Sequence, residues 1–146
     1  MSFDFIEPEA FFRQLNNDKD FCCGLGKVML AASMLETNLR SYLNAKSISY
    51  NRTATLGSLV KKLKDADLLT ENGKSHFDDL TKKRNYLAHN LYGLFSKELE
   101  ETILPREQLV SIDALFFINR VEILAEDFTF FSDHVSKADL SKKKLL

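Results

Sequence analysis

Helix breakers are scarce in this chain, and that scarcity constrains its fold more than any other feature. Its 146 residues hold two prolines, Pro8 and Pro105, and five glycines. Long helices therefore meet few positions where they must stop. Apolar residues recur at three-four spacing over the same stretches. The longest such stripe is Phe21, Leu25, Val28, Met29, Ala32, Leu35, Leu39, Tyr42 and Leu43. The pattern predicts an all-α fold, an up-and-down bundle of about five helices.

The helix limits follow from local chemistry. Glu7-Pro8-Glu9 opens a short first helix, with proline at its first position and acids near the positive dipole end. It passes through Phe11, Phe12 and Leu15 and stops at Asn16-Asn17-Asp18. Asp18 or Asp20 caps the second helix, expected to reach about Asn44. Gly24 and Gly26 weaken its first turns by roughly 1 kcal/mol each and admit close approach of another helix. Residues 45–54 are polar and aperiodic, a loop. Thr55 is a suitable cap for a third helix with Leu56, Leu59, Val60 and Leu63 on one face, ended by Asp67-Leu68-Leu69. Thr70 or Asn72 begins a fourth helix expected to reach about Tyr92, with Gly93 as terminator. Residues 94–104 are ambiguous between helix and loop. Pro105 then opens a last helix to about Val135, offering Leu109, Ile112, Leu115, Phe116, Val121, Leu124, Phe128 and Phe131 for burial.

A chain of this length suits one domain with a sizeable core. With 12 phenylalanines and no tryptophan, that core is expected to be rich in Phe and Leu. We expect one helical domain over 1–136 and a basic, flexible tail over 137–146, solvated around Lys142-Lys143-Lys144. The formal net charge of −1 excludes a global field drawing the protein to nucleic acid or anionic lipid, so any phosphate binding must be local. Cys22 and Cys23 are adjacent and match neither a redox CxxC nor a zinc pattern; reduced thiols in a cytoplasmic protein are expected. Residues 1–7 carry Asp4 and Glu7 and do not make a signal peptide. No apolar run approaches the roughly 18–20 residues of a membrane span.

Chemistry points to the second half of the fourth helix. Its apolar stripe is Phe77, Leu80, Leu87, Leu91 and Leu94, and Arg84 stands in the middle of it. A guanidinium there is costly to desolvate unless it finds an anion or reaches an edge. Asn85, His89 and Tyr92 occupy the adjoining face. On an ideal helix Arg84 and His89 stand about 140° apart with a rise of ~7.5 Å, so they do not converge on one spot. A two-fold dimer could bring Arg84 of one chain to His89 of the other. Such a composite site would suit RNA cleavage: a histidine poised near neutral pH moves protons to and from the 2′-hydroxyl and the leaving oxygen. The arginine would hold the phosphate and its developing charge.

Arg-Asn-Tyr-Leu-Ala-His at 84–89, late in the penultimate long helix of a small helical chain, resembles the R-x4–6-H signature of the HEPN superfamily. Thr55-Leu56-Gly57-Ser58-Leu59, the lysine-rich helix after it and the Lys-Lys-Arg-Asn entry resemble bacterial members. The resemblance implies a homodimeric, metal-independent endoribonuclease that leaves a 2′,3′-cyclic phosphate, often a toxin or phage-defence effector. It implies Arg84 and His89 as catalytic residues, Asn85 as support, and no cofactor. Some such toxins carry R-x4-H-x-Y, whose tyrosine a nucleotidyltransferase antitoxin modifies. Here Tyr92 stands one residue later, a supporting residue on the His89 face. The expected partners are thus a second copy, RNA and a cognate antitoxin of that kind, with no membrane.

Lys61, Lys62 and Lys64 on the third helix, with Lys82 and Lys83 on the fourth, are the basic concentration that could engage RNA phosphates. Their plain alternative is solubilising charge. For Arg84 the plain alternative is a side chain pairing with Asp78, Asp79 or a neighbouring helix; for His89, a local hydrogen bond. His76 reads as a surface residue and His134 as a complement to the last helix's dipole. No metal site is expected, since paired Glu-x-x-His motifs and zinc spacing are missing. The alternative in a different class is a non-catalytic HEPN-like interaction or regulatory module.

Overall fold

A computed structural model describes residues 5–89, 110 and 112–146, with the side chains of 86–89 outside that description. The described residues form five helices and no strand: α1 Pro8–Asn17, α2 Lys19–Ala45, α3 Leu56–Asp65, α4 Glu71–His89 and α5 Asp113–Ser136. The all-α expectation is met. Tyr92, Gly93 and the stretch 94–104 lie outside the described residues, as does Pro105.

Local signals set most boundaries. Pro8 sits in the first turn of α1. Asp18 caps α2, its Oδ1 accepting the Phe21 N–H at 2.8 Å. Thr70 caps α4, its Oγ1 accepting the Gly73 N–H at 3.0 Å. Thr55 has the extended backbone of a cap, yet its side chain makes no capping bond to α3. The Leu56 N–H donates instead to Glu36 Oε1 at 3.1 Å, so α2 supplies the cap. Between α3 and α4, Asp67 takes a left-handed φ of 55°. That makes the sharp turn after Ala66.

The last helix departs from its expected start. Val110 forms an antiparallel bridge with Phe5, and its N–H donates to Asp113 Oδ2 at 2.7 Å. Asp113 is almost wholly buried, and the helix begins there. The buried stripe is Ala114, Phe117, Ile118, Val121, Leu124, Phe128, Ser132 and Val135. Ile112, Leu115 and Phe116, expected inside, are exposed. Apolar residues at nearly every position of 114–118 left the register open to misreading by one step.

The chain divides into two compact units, Met1–Met29 with Tyr86–Glu126, and Leu30–Asn85 with Asp127–Leu146. In the first, Phe11, Leu15, Phe21, Val28 and Phe117 are buried, with the Phe21 and Phe117 rings 5.3 Å apart. Gly24 lets α2 approach α5: a Cβ there would lie 3.1 Å from Val121 Cγ1. Gly26 has no such neighbour. In the second unit all four expected α3 residues are buried with Leu35, Leu39, Leu43, Phe77, Leu80 and Phe128. Asn38 Nδ2 donates to the Ser132 carbonyl at 3.0 Å and to its Oγ at 2.9 Å, tying α2 to α5.

The tail over 137–146, expected to be frayed, is seated on this second unit. Leu145 is buried and forms a parallel bridge with Leu69, its N–H donating to the Leu68 carbonyl at 2.7 Å. Lys46 Nζ donates to the carbonyls of Leu140 at 2.9 Å and Lys142 at 3.1 Å. Lys144 pairs with Asp67 at 3.2 Å. A Cβ on Gly73 would collide with the Leu146 carbonyl, so glycine is what admits the chain there. The buried Leu145, its backbone bonds, Lys46 and the Lys144–Asp67 pair together dock the basic run.

Candidate functional site

Arg84 resolves the question that its place in the apolar stripe raises. Phe77 and Leu80, on the same face of α4, are fully buried, and the Arg84 side chain keeps 21% of its exposure. Its Nε lies 3.4 Å from Glu36 Oε1 on α2. The Glu36 side chain is 13% exposed. A carboxylate so poorly hydrated needs compensation, and it has two sources: the guanidinium and the Leu56 N–H at the positive end of α3. Three helices meet at one carboxylate oxygen. Among the described residues, no hydrogen bond engages the Arg84 guanidinium, and its contact with Glu36 is an ion pair.

One turn along α2 from Glu36, Arg40 Nη2 donates to the Ala54 carbonyl at 2.7 Å. Its Nε is buried with no hydrogen-bond partner among the described residues. Glu36 and Arg40 thus hold the backbone of 54–56 from both sides, one accepting and one donating. Sequence reasoning assigned neither residue a role. The available signal was their i,i+4 spacing on α2, which carries no address for the partner in α3 or α4.

Asn85 is exposed on α4, next to Arg84. His89 is the last residue of α4, and its side chain lies outside the described residues; Tyr92 lies outside them altogether. The basic concentration is largely neutralised. Lys61 pairs with Asp65 at 2.7 Å, Lys83 with Asp79 at 2.7 Å, and Lys64 with Asp78. Lys62 and Lys82 are exposed. The acids expected to answer Arg84 therefore answer lysines instead, and Arg84 takes its partner from the neighbouring helix.

Elsewhere in the second unit an open cleft of about 690 Å³ is lined by Phe130, His134, Lys137, Lys142 and Leu145 among others. Asp133 and Asp139 line it too, so its charges are mixed. His76 is exposed, its ring centroid 5.2 Å from that of Phe131. Among the described residues, no group of three or more His, Cys, Asp or Glu is placed to hold a metal ion. No described helix is long and apolar enough to cross a membrane.

No family model matches the chain, and no curated protein or solved structure compared with it is similar enough to count as a match. The fold defines an all-α helical protein. The HEPN resemblance rests on residues 84–89 and their setting in the helical layout.

Proposed function

We propose that the chain is a metal-independent endoribonuclease of HEPN type, a cytoplasmic toxin or phage-defence effector acting as a homodimer. Arg84 of one copy would bind the scissile phosphate and offset the charge that grows on it. His89 of the other would take the proton of the 2′-hydroxyl and deliver one to the departing 5′-oxygen. The 2′-oxygen attacks phosphorus, the bond to the 5′-oxygen breaks, and a 2′,3′-cyclic phosphate remains. Asn85 and Tyr92 would support the site, and Lys61, Lys62, Lys64, Lys82 and Lys83 would meet flanking phosphates. A nucleotidyltransferase-type antitoxin would be the cognate regulator.

The observation that carries this reading is the state of Arg84. It lies beside a poorly hydrated carboxylate, keeps 21% of its own side-chain exposure, and makes no hydrogen bond to a described residue. The test is incubation of purified protein with RNA in the presence of chelator, beside Arg84→Ala and His89→Ala. Cleavage by the wild type, with cyclic phosphate ends and at least about 10²-fold loss in each variant, is expected. Equal activity in all three proteins refutes it.

The Glu36–Arg84 ion pair also favours a second reading, a non-catalytic HEPN-like interaction or regulatory module in which Arg84 joins α4 to α2. Growth arrest on induction in a bacterial host, abolished by His89→Ala, argues against that module.

A further inference from the structure

An arginine has two hydrogen-bonding edges: one formed by Nε with an Nη, the other by the two Nη nitrogens. Glu36 Oε1 lies 3.4 Å from Arg84 Nε, on the stem side of the guanidinium, an ion pair without a hydrogen bond between those atoms. Glu36 is itself fixed: the same Oε1 accepts the Leu56 N–H at 3.1 Å, and helix α3 is ten residues long with its positive end against that oxygen. Carboxylate, amide and guanidinium all belong to one compact unit. The arrangement places a fixed negative charge beside the stem side of the guanidinium.

We propose that Glu36 is the positioning residue of Arg84, setting its guanidinium for contact with a phosphate group. The proposal rests on the ribonuclease reading for the identity of that phosphate as the scissile one; the restraint of Arg84 by Glu36 stands apart from it. Glu36 touches no substrate. Its negative charge lies close to the bound phosphate and weakens plain electrostatic attraction, so its contribution is aim rather than affinity. That separates it from an ordinary cationic patch. Removing Glu36 should leave RNA binding unchanged or tighter and make cleavage slower.

The experiment compares Glu36→Ala, Glu36→Gln and Arg40→Met with the wild-type chain on a labelled oligoribonucleotide. Arg40→Met removes the other anchor of 54–56, the bond to the Ala54 carbonyl, without touching Arg84. Expected are a fall in kcat of about 10²-fold in Glu36→Ala with KM unchanged or lower, and partial recovery in Glu36→Gln, which keeps an acceptor. Arg40→Met should keep kcat. In parallel, the arginine Nε–Hε resonance missing from Arg84→Lys identifies Arg84, and it should shift in Glu36→Ala. A loss of kcat in Arg40→Met equal to that in Glu36→Ala would assign the effect to the 54–56 backbone and overturn the proposal. So would an unmoved Hε resonance. If the wild type cleaves no RNA, the ribonuclease reading fails, and the Hε resonance alone decides whether Glu36 holds Arg84.

Discussion

The Glu36–Arg84 pair makes an energetic prediction that can be tested without knowing any substrate. Arg84→Met keeps most of the side-chain volume and removes the charge; Glu36→Gln keeps shape and an acceptor. At 3.4 Å and an effective dielectric near 20, the Coulomb attraction is on the order of 5 kcal/mol. Desolvation of two side chains that are 21% and 13% exposed takes back most of it. A net coupling of about 1–2 kcal/mol remains. Glu36→Gln also weakens the cap on α3, worth about 1 kcal/mol. The single variants should therefore lose about 1–2 kcal/mol for Arg84→Met and about 2–3 kcal/mol for Glu36→Gln.

Urea denaturation of the wild type, both single variants and the double variant reads the coupling directly. The double variant should be more stable than the sum of the single losses implies by about 1–2 kcal/mol. Additivity within about 0.3 kcal/mol would show that the two groups do not interact in solution. That result would remove the basis for Glu36 as a holder of Arg84 and for the structural reading of the arginine together.

Two further outcomes concern the tail and α2. The Lys144 ammonium hydrogen-bonded to Asp67, with the charges of Lys144, Lys143 and Lys74, holds the Asp67 carboxyl below the usual carboxylate range. A depressed folded value means that this contribution is complete above the unfolded carboxyl value and is lost as pH falls through the folded one. Tail docking should then loosen below about pH 4, seen as falling protection of the Leu145 amide, whose partner is the Leu68 carbonyl. The same pH dependence in Lys144→Ala would refute the attribution. Gly26→Ala should stabilise the protein by about 0.5–1 kcal/mol, since open space surrounds that position inside α2. Gly24→Ala should gain less or lose, because Val121 must move; a larger gain there than at Gly26 contradicts the packing.

The helices were legible because each carries its own signals. Asp18 and Thr70 cap by reaching their own next turn, a property of four consecutive residues. The α3 stripe is strictly periodic and all of it is buried. Where the cause lies elsewhere in the chain, the sequence is silent. Thr55 is the right residue type for a cap, yet the bond comes from Glu36, twenty residues away. Leu145 follows three lysines, and its burial depends on Leu68 and Leu69 presenting free backbone groups and an apolar seat. The expected start of α5 at Pro105 rests on proline as a helix opener, whereas the helix begins at Asp113, because Val110 pairs with Phe5 and its N–H donates to the Asp113 carboxylate, partners that no local signal gives.

The candidate site shows the same division between local and distant causes. Arg84 was conspicuous because a cation in an apolar stripe demands an explanation, and the nearby acids Asp78 and Asp79 offered one. Both are engaged by lysines on the exposed side, Lys64 and Lys83. The carboxylate that does answer Arg84 is the one that α3 also needs, so the ion pair accounts for how Arg84 is tolerated without settling what it is for. Tolerance would be complete with a partner on either edge of the guanidinium. In Arg84 the acid lies on the stem side of the guanidinium, 3.4 Å from Nε. Arg40 spends Nη2 on the Ala54 carbonyl and buries its Nε without a partner among the described residues. The two arginines flank the same α3 entrance with different duties: Arg40 holds the backbone of the entrance, and Arg84 answers the carboxylate that caps the helix.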